Sequence, residues 1–93
     1  MESRSLTSRV GRLDVAYDED RDVLYIAIDK PRAADTFDTE HGLLVRKDPE
    51  SKEIVGVTIL HYGGFFKKLL DYSWLKDLQL PKELESYLLN PSV

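Results

Sequence analysis

The sequence predicts an α+β domain: a four-stranded antiparallel β-meander followed by two short C-terminal helices packed on one face. Three observations support this fold. Residues 13–60 contain short runs rich in β-forming residues, turn residues separate those runs, and after residue 63 the apolar spacing becomes helical. A chain of 93 residues has room for one domain. We expect a flexible N-terminal arm over 1–12 and a single domain over 13–90, with the sheet over 13–60 and a helical tail over 64–90.

The first two predicted strands form a hairpin. Leu13, Val15 and Tyr17 alternate with polar or small residues, which is the period of a half-buried strand. Residues 22–28 are almost wholly apolar and predict a central strand covered on both faces. The polar residues 18–21 between these runs suit a tight turn.

The second half of the sheet follows a predicted loop. Residues 29–40 contain a proline and four acids with little periodicity, and Phe37 is expected to anchor this loop to the core. Residues 42–47 and 53–60 predict the third and fourth strands, with an aspartate–proline turn between them. Gly56, inside the fourth strand, indicates a bulge or a close approach by a neighbouring element.

The tail is predicted to form two helices. Pro81 ends the first helix and suits the first turn of the second. Adjacent apolar residues in the tail make its apolar arc wide, so we expect one edge of the arc to contact a second copy or another protein. The candidate contact residues are Phe65, Phe66, Leu69, Leu70 and Trp74.

Composition and charge limit the possible functions. The absence of cysteine excludes disulfides, a thiolate nucleophile and cysteine-ligated metals. The net charge is −4, and the acidic stretch over 13–59 argues against nucleic-acid binding, although Arg4, Arg9 and Arg12 of the arm leave a weak contact open. The sequence has neither a signal-peptide core nor an apolar run of membrane-spanning length, so we expect a cytoplasmic location without membrane contact.

The two histidines are the candidate metal ligands. His41 and His61 both fall at predicted strand ends, and Asp38 or Glu40 could complete a two-histidine, one-carboxylate site. This metal or small-molecule enzyme is the alternative to a binding module. The sequence has no nucleophile elbow and no phosphate-binding loop, and it indicates no cofactor.

The acidic hairpin turn has part of a calcium-loop pattern. Asp18, Asp20 and Asp22 have the spacing of the first three ligands of such a loop. The loop also needs glycine at its sixth position and glutamate at its twelfth, where this chain has Val23 and Asp29. We therefore interpret the acids as a charged turn.

The segment over 17–26 resembles the hairpin signature of YuzE-like proteins, a small bacterial family of unknown function. Its residues match the pattern Y-D-x-x-x-D-x-L-Y-I. The later glycine-led strand at Gly42 and the strand that ends in G-x-x-I-L, Gly56 to Leu60, also agree. The resemblance implies a compact antiparallel sheet over about 13–60 and assigns no catalytic residue. It also implies an antitoxin-like role in binding a small protein. We interpret Asp22 and Tyr25 as fold determinants, a strand-start acid and a packed aromatic.

The leading prediction is a non-enzymatic protein-binding module that self-associates, as a dimer, or binds a small protein partner. The candidate contacts lie in the helical tail.

Overall fold

The computed structural model describes residues 5–30, 32–63 and 73–89. The elements whose bounds lie within these ranges are six strands and two helices: β1 (Ser5–Val10), β2 (Leu13–Asp18), β3 (Val23–Ile28), β4 (Asp35–Asp38), β5 (Leu43–Lys47), β6 (Ile54–Leu60), α1 (Ser73–Asp77) and α2 (Lys82–Leu89). The α+β class, the antiparallel sheet and the two short C-terminal helices are confirmed. The predicted count of four strands is wrong.

The order of the strands also differs from a meander. The sheet runs β1-β2-β3-β6-β5-β4, and every neighbouring pair is antiparallel. The second and fourth predicted strands, β3 and β6, are therefore partners, whereas a meander would place β3 beside β5. These two strands are the most apolar runs of the chain, and the sheet centre gives them the most burial.

Both additional strands lie at the edges of the sheet. Ser5–Val10, expected within a flexible arm, pairs with β2 along its whole length as β1. Asp35–Asp38, expected within a loop, pairs with β5 as β4. All four residues of β4 are exposed, so no apolar periodicity marks the strand.

Phe37 does not anchor its segment to the core. Its side chain is 49% exposed, and the Lys47 ammonium lies 5.4 Å from its ring centroid. The contact is a cation–π interaction at the surface.

The core lies between one sheet face and the helices. Alternate residues of the strands point to this face, and buried residues of α1, of α2 and of the segment between them pack on it. The main cluster comprises Leu13, Val15, Leu24, Ile26, Leu43, Val45, Val57, Ile59, Leu75, Leu80, Leu84, Tyr87 and Leu88. The described helices therefore cover one face, as predicted.

Gly56 lies where β3 and β6 meet. A Cβ atom at this position would lie 2.5 Å from the carbonyl oxygen of Ile26 and 3.3 Å from Cα of Ala27. The predicted close approach is confirmed. The register also shifts beside Gly56, because Arg46 pairs with Gly56 whereas Lys47 pairs with Ile54. This irregularity is a bulge in β6.

Candidate protein-binding surface

The second face of the sheet is not covered by any described helix, and we name it the open face. Strand residues alternate between faces, so it is formed by positions between those of the core. Its residues on the four central strands are Asp14, Ala16, Asp18, Val23, Tyr25, Ala27, Gly56, Thr58, Leu60, Leu44 and Arg46.

The centre of the open face is apolar. Tyr25 and Leu60 are 40% and 36% exposed, although both belong to the central strands. Ala27 and Thr58 are buried beside them without joining the main core cluster. Small side chains therefore lie close to the sheet, and the larger apolar side chains of Tyr25 and Leu60 project beyond them. This arrangement is suited to contact with another apolar surface.

Tyr25 is a residue whose placement the sequence did not reveal. We interpreted it as a packed aromatic in a strand covered on both faces, but its ring is partly exposed. Its neighbours Leu24 and Ile26 point to the core, so strict alternation could have placed Tyr25 opposite. Every residue of β3 is apolar or aromatic, so the alternation between the two faces is not apparent in the sequence.

Charged residues lie at the margins of the open face. On β2, the Asp14 carboxylate lies 3.9 Å from the Arg9 guanidinium. On β5, Arg46 donates a hydrogen bond of 3.0 Å to the carbonyl of Arg32. No carboxylate in the described ranges forms an ion pair with Arg46.

Asp22 binds the chain segment that follows β6. The Tyr17 hydroxyl donates to its carboxylate at 2.6 Å, and the Gly63 N–H donates to both carboxylate oxygens at 3.0 and 3.2 Å. The Tyr62 N–H donates to the Asp22 carbonyl at 3.0 Å, and the rings of Tyr17 and Tyr62 pack 5.5 Å apart. We name this group of four residues the Asp22 clamp.

The clamp fixes its own protonation states. The hydrogen bond from Tyr17, followed by that from Gly63, lowers the pKa of Asp22. The same bond, followed by burial, raises the pKa of Tyr17 to about 12. Near neutral pH the pair is therefore a carboxylate and a neutral phenol. An acid–base catalyst needs a pKa near the working pH, so this geometry serves structure better than proton transfer.

Asp18 holds the β2–β3 turn. Its carboxylate accepts hydrogen bonds from the backbone N–H groups of Asp20 and Arg21 at 3.1 and 3.3 Å. Asp18 and Asp22, two of the acids with calcium-loop spacing, thus serve the turn and the clamp.

The two histidines lie at the same end of the sheet. The Leu60 N–H donates to the Gly42 carbonyl at 2.8 Å, so the segments carrying His61 and His41 are neighbours. The His41 ring stacks on Trp74, with centroids 4.1 Å apart and planes 16° apart. In the ranges that the structure describes, no three histidine or carboxylate side chains form a group that could hold a metal ion.

The predicted tail contacts are only partly visible. Phe65, Phe66, Leu69 and Leu70 lie outside the described residues. Trp74 is partly buried and packs on His41 of the same chain.

The arginines of the predicted arm make contacts within the chain. Arg12 forms two hydrogen bonds to the Asp29 carboxylate, at 3.0 and 2.8 Å, which lower the pKa of Asp29. Arg9 donates to the Asp29 carbonyl. Arg4 lies outside the described residues.

A family model described as a protein of unknown function, DUF2283, matches residues 14–62, which is more than half of the chain. The chain belongs to the DUF2283 family. The matched DUF2283 region runs from β2 to β6 and includes Tyr17, Asp22 and Tyr62 of the clamp. The strand β1 and the helices α1 and α2 lie outside it. No curated protein and no solved structure matches the chain. None of the helices in the described ranges has the length and apolar character needed to cross a membrane.

Proposed function

We propose that this protein is a cytoplasmic, non-enzymatic protein-binding module that contacts its partner through the open face. The observation that carries the proposal is the exposure of Tyr25 and Leu60 at the centre of a sheet face that no described helix covers.

The composition of the face favours a protein as the ligand. Tyrosine is enriched among the residues that dominate binding energy, because it buries a large ring and loses little side-chain entropy. Tyr25 stands among small or apolar neighbours, Ala16, Ala27 and Thr58. Charges lie at the margin, which is the usual anatomy of an interface with an apolar centre and a polar rim.

The resemblance to YuzE-like proteins refines the proposal. The hairpin motif over 17–26 supports an antitoxin-like form of the function, in which the partner is a small protein. We propose the open face as the main contact. Of the predicted tail contacts the structure describes only Trp74, which packs on His41.

Affinity capture with matched variants tests the proposal. The tagged wild-type chain is used to capture proteins from lysate of its native host, beside Tyr25→Lys and Leu89→Lys. Leu89 is 42% exposed on α2, so its replacement makes a similar chemical change away from the open face. We expect a stoichiometric protein, or a second copy of the chain, on wild type and Leu89→Lys and its loss on Tyr25→Lys. Equal recovery on all three would contradict the proposal.

One observation favours the alternative function, a small metal-dependent or small-molecule-binding enzyme. The neighbouring segments at one sheet end carry both His41 and His61. The His41→Ala/His61→Ala variant separates the two functions. Partner capture that survives this double substitution supports the binding module, whereas loss of a measured ligand with the fold retained supports the enzyme.

A further inference from the structure

We infer that the partner of the open face is a second copy of this chain, related by a two-fold axis parallel to the strands. The inference rests on the proposed function and specifies its partner. It starts from the strand register, which arranges the open face in rows across the sheet.

The first row ends in opposite charges. Asp14 pairs with Ala27, Ala27 with Gly56, and Gly56 with Arg46. The two-fold axis parallel to the strands passes between β3 and β6. When two copies meet face to face about this axis, β2 of one copy lies opposite β5 of the other, and β3 lies opposite β6. Asp14 then lies opposite the partner's Arg46. Because a two-fold interface is isologous, this contact occurs twice.

Both charges are available for such a contact. Arg46 has a backbone carbonyl as its hydrogen-bond partner and no ion pair among the described residues. Asp14 is 3.9 Å from Arg9, near the limit for an ion pair. Asp14 and Arg46 can therefore each form an ion pair with the second copy, and no close carboxylate–guanidinium pair has to be broken.

The second row is complementary in size. Its order is Ala16, Tyr25, Thr58 and Leu44. The same axis places Tyr25 opposite the partner's Thr58 and Leu44 opposite the partner's Ala16. Each larger side chain meets a smaller one, which allows two sheets to approach to the usual spacing of about 10 Å.

The other in-plane axis fits less well. A two-fold axis across the strands, through the second row, places Tyr25 opposite the partner's Tyr25. It also places Asp14 opposite the partner's Asp18, because Asp18 lies in the third row of β2. Like charges that face one another in an interface oppose association. Charge and size therefore both select the axis parallel to the strands.

A charge-reversal cycle tests this arrangement. Sedimentation velocity over a concentration series measures the dimer dissociation constant of wild type, Asp14→Lys, Arg46→Glu and the Asp14→Lys/Arg46→Glu double variant. We expect a wild-type dimer that each single change weakens at least about tenfold, because each change creates two like-charge contacts. The double variant restores the dimer, since both pairs are then reversed.

Matched controls on α1 separate the contact from net charge. Asp77→Lys and Lys76→Glu make the same charge changes at exposed positions away from the open face, and we expect both to remain dimeric. Thermal unfolding verifies that each variant is folded. If Asp14→Lys fails to fold, Ala16→Trp replaces it: the added ring would collide with the partner's Leu44, and a monomer is expected.

The outcomes distinguish this inference from the proposed function. A wild-type chain that is monomeric at every concentration, or a folded double variant that stays as weak as the single variants, overturns the second-copy inference. If Tyr25→Lys then still abolishes capture of a different protein, the open face is a binding site for that protein. If Tyr25→Lys changes neither capture nor self-association, both proposals fail.

Discussion

At the scale of single residues, the Asp22 clamp joins two distant parts of the chain. Its carboxylate accepts from the Tyr17 hydroxyl and the Gly63 N–H, although Asp22 and Gly63 are separated by 41 positions. Asp22 itself has a φ of 56°, a left-handed conformation that costs energy for a residue other than glycine. The clamp offsets this cost through charge-assisted hydrogen bonds, which are stronger than neutral ones.

The clamp predicts a stability that falls at both extremes of pH. The lowered pKa of Asp22 stabilises the fold above the ordinary aspartate pKa of about 3.9, and this contribution is lost as pH falls through the folded-state value. The raised pKa of Tyr17 stabilises the fold below the ordinary value of 10.0, and that contribution is lost as pH rises toward about 12. Asp22→Asn should lower the melting temperature at neutral pH. It should also reduce the fall in melting temperature at low pH and at high pH.

Thermal unfolding between pH 2 and pH 12 makes this measurement. Tyr17→Phe is the companion variant, because it removes the hydroxyl and leaves the ring beside Tyr62. It should remove the contribution of Tyr17 to the loss of stability at high pH. It should also reduce the loss of stability at low pH. An Asp22→Asn profile parallel to that of wild type would contradict the role given to the clamp.

At the scale of elements, one stacked pair connects the start of α1 with the segment before β5. His41 lies on the turn before β5, and Trp74 lies in α1. The helix has only five residues, too few to be stable by itself, so its position depends on tertiary contacts such as this one.

Replacing His41 should therefore loosen α1. We expect His41→Ala to reduce the free energy of unfolding by about 0.5–1.5 kcal/mol, the usual value of a stacked ring pair. Trp74 is the only tryptophan, so its fluorescence reports directly on this contact and should shift to the red. His61→Ala is the control, and an identical shift in both variants would show that the stack is not the cause.

The same elements show what the sequence could and could not predict. The periodicity of β2 and the apolar runs of β3, β5 and β6 marked strands correctly, because burial determines those patterns. The sequence pattern did not predict the edge strands β1 and β4, since exposed edge strands need few apolar residues. Periodicity identifies a strand and not its partner, so the pairing of β3 with β6 was also missed.

The candidate site was less predictable than the fold. The sequence predicts contacts in the tail, where apolar residues are densest, and that prediction stays untested for the four residues outside the described ranges. The open face that we propose depends instead on which alternate positions the described helices leave uncovered. Leu60 and Tyr25 belong to one surface only because β3 and β6 are neighbours. The pairing of β3 with β6 follows from the strand order, and the sequence pattern does not predict that order.

At the scale of the whole molecule, the sheet consists of two three-stranded meanders joined along β3 and β6. Gly56 lies at that junction, where a side chain would meet the backbone of Ile26 and Ala27. The main chain cannot yield as a flexible side chain can, so the junction depends on this glycine.

Gly56→Ala should destabilise the whole domain. We expect a loss of about 1–3 kcal/mol, the usual cost of forcing extra volume into a packed site. Chemical denaturation measures it, and both meanders should unfold in one transition because the junction connects them. A loss below about 0.5 kcal/mol would show that the strands separate easily at this point.

The strand order also sets how the chain reaches its native state. Each meander is closed by short turns, and hairpins of this kind form within microseconds. The central pair joins segments far apart in sequence, so it carries the larger loop-closure entropy, and we expect it to form last. We therefore expect the folding rate to be limited by the docking of two preformed halves. Until they dock, each half exposes the backbone edge of its most apolar strand, and this interval is when the chain is most prone to aggregate.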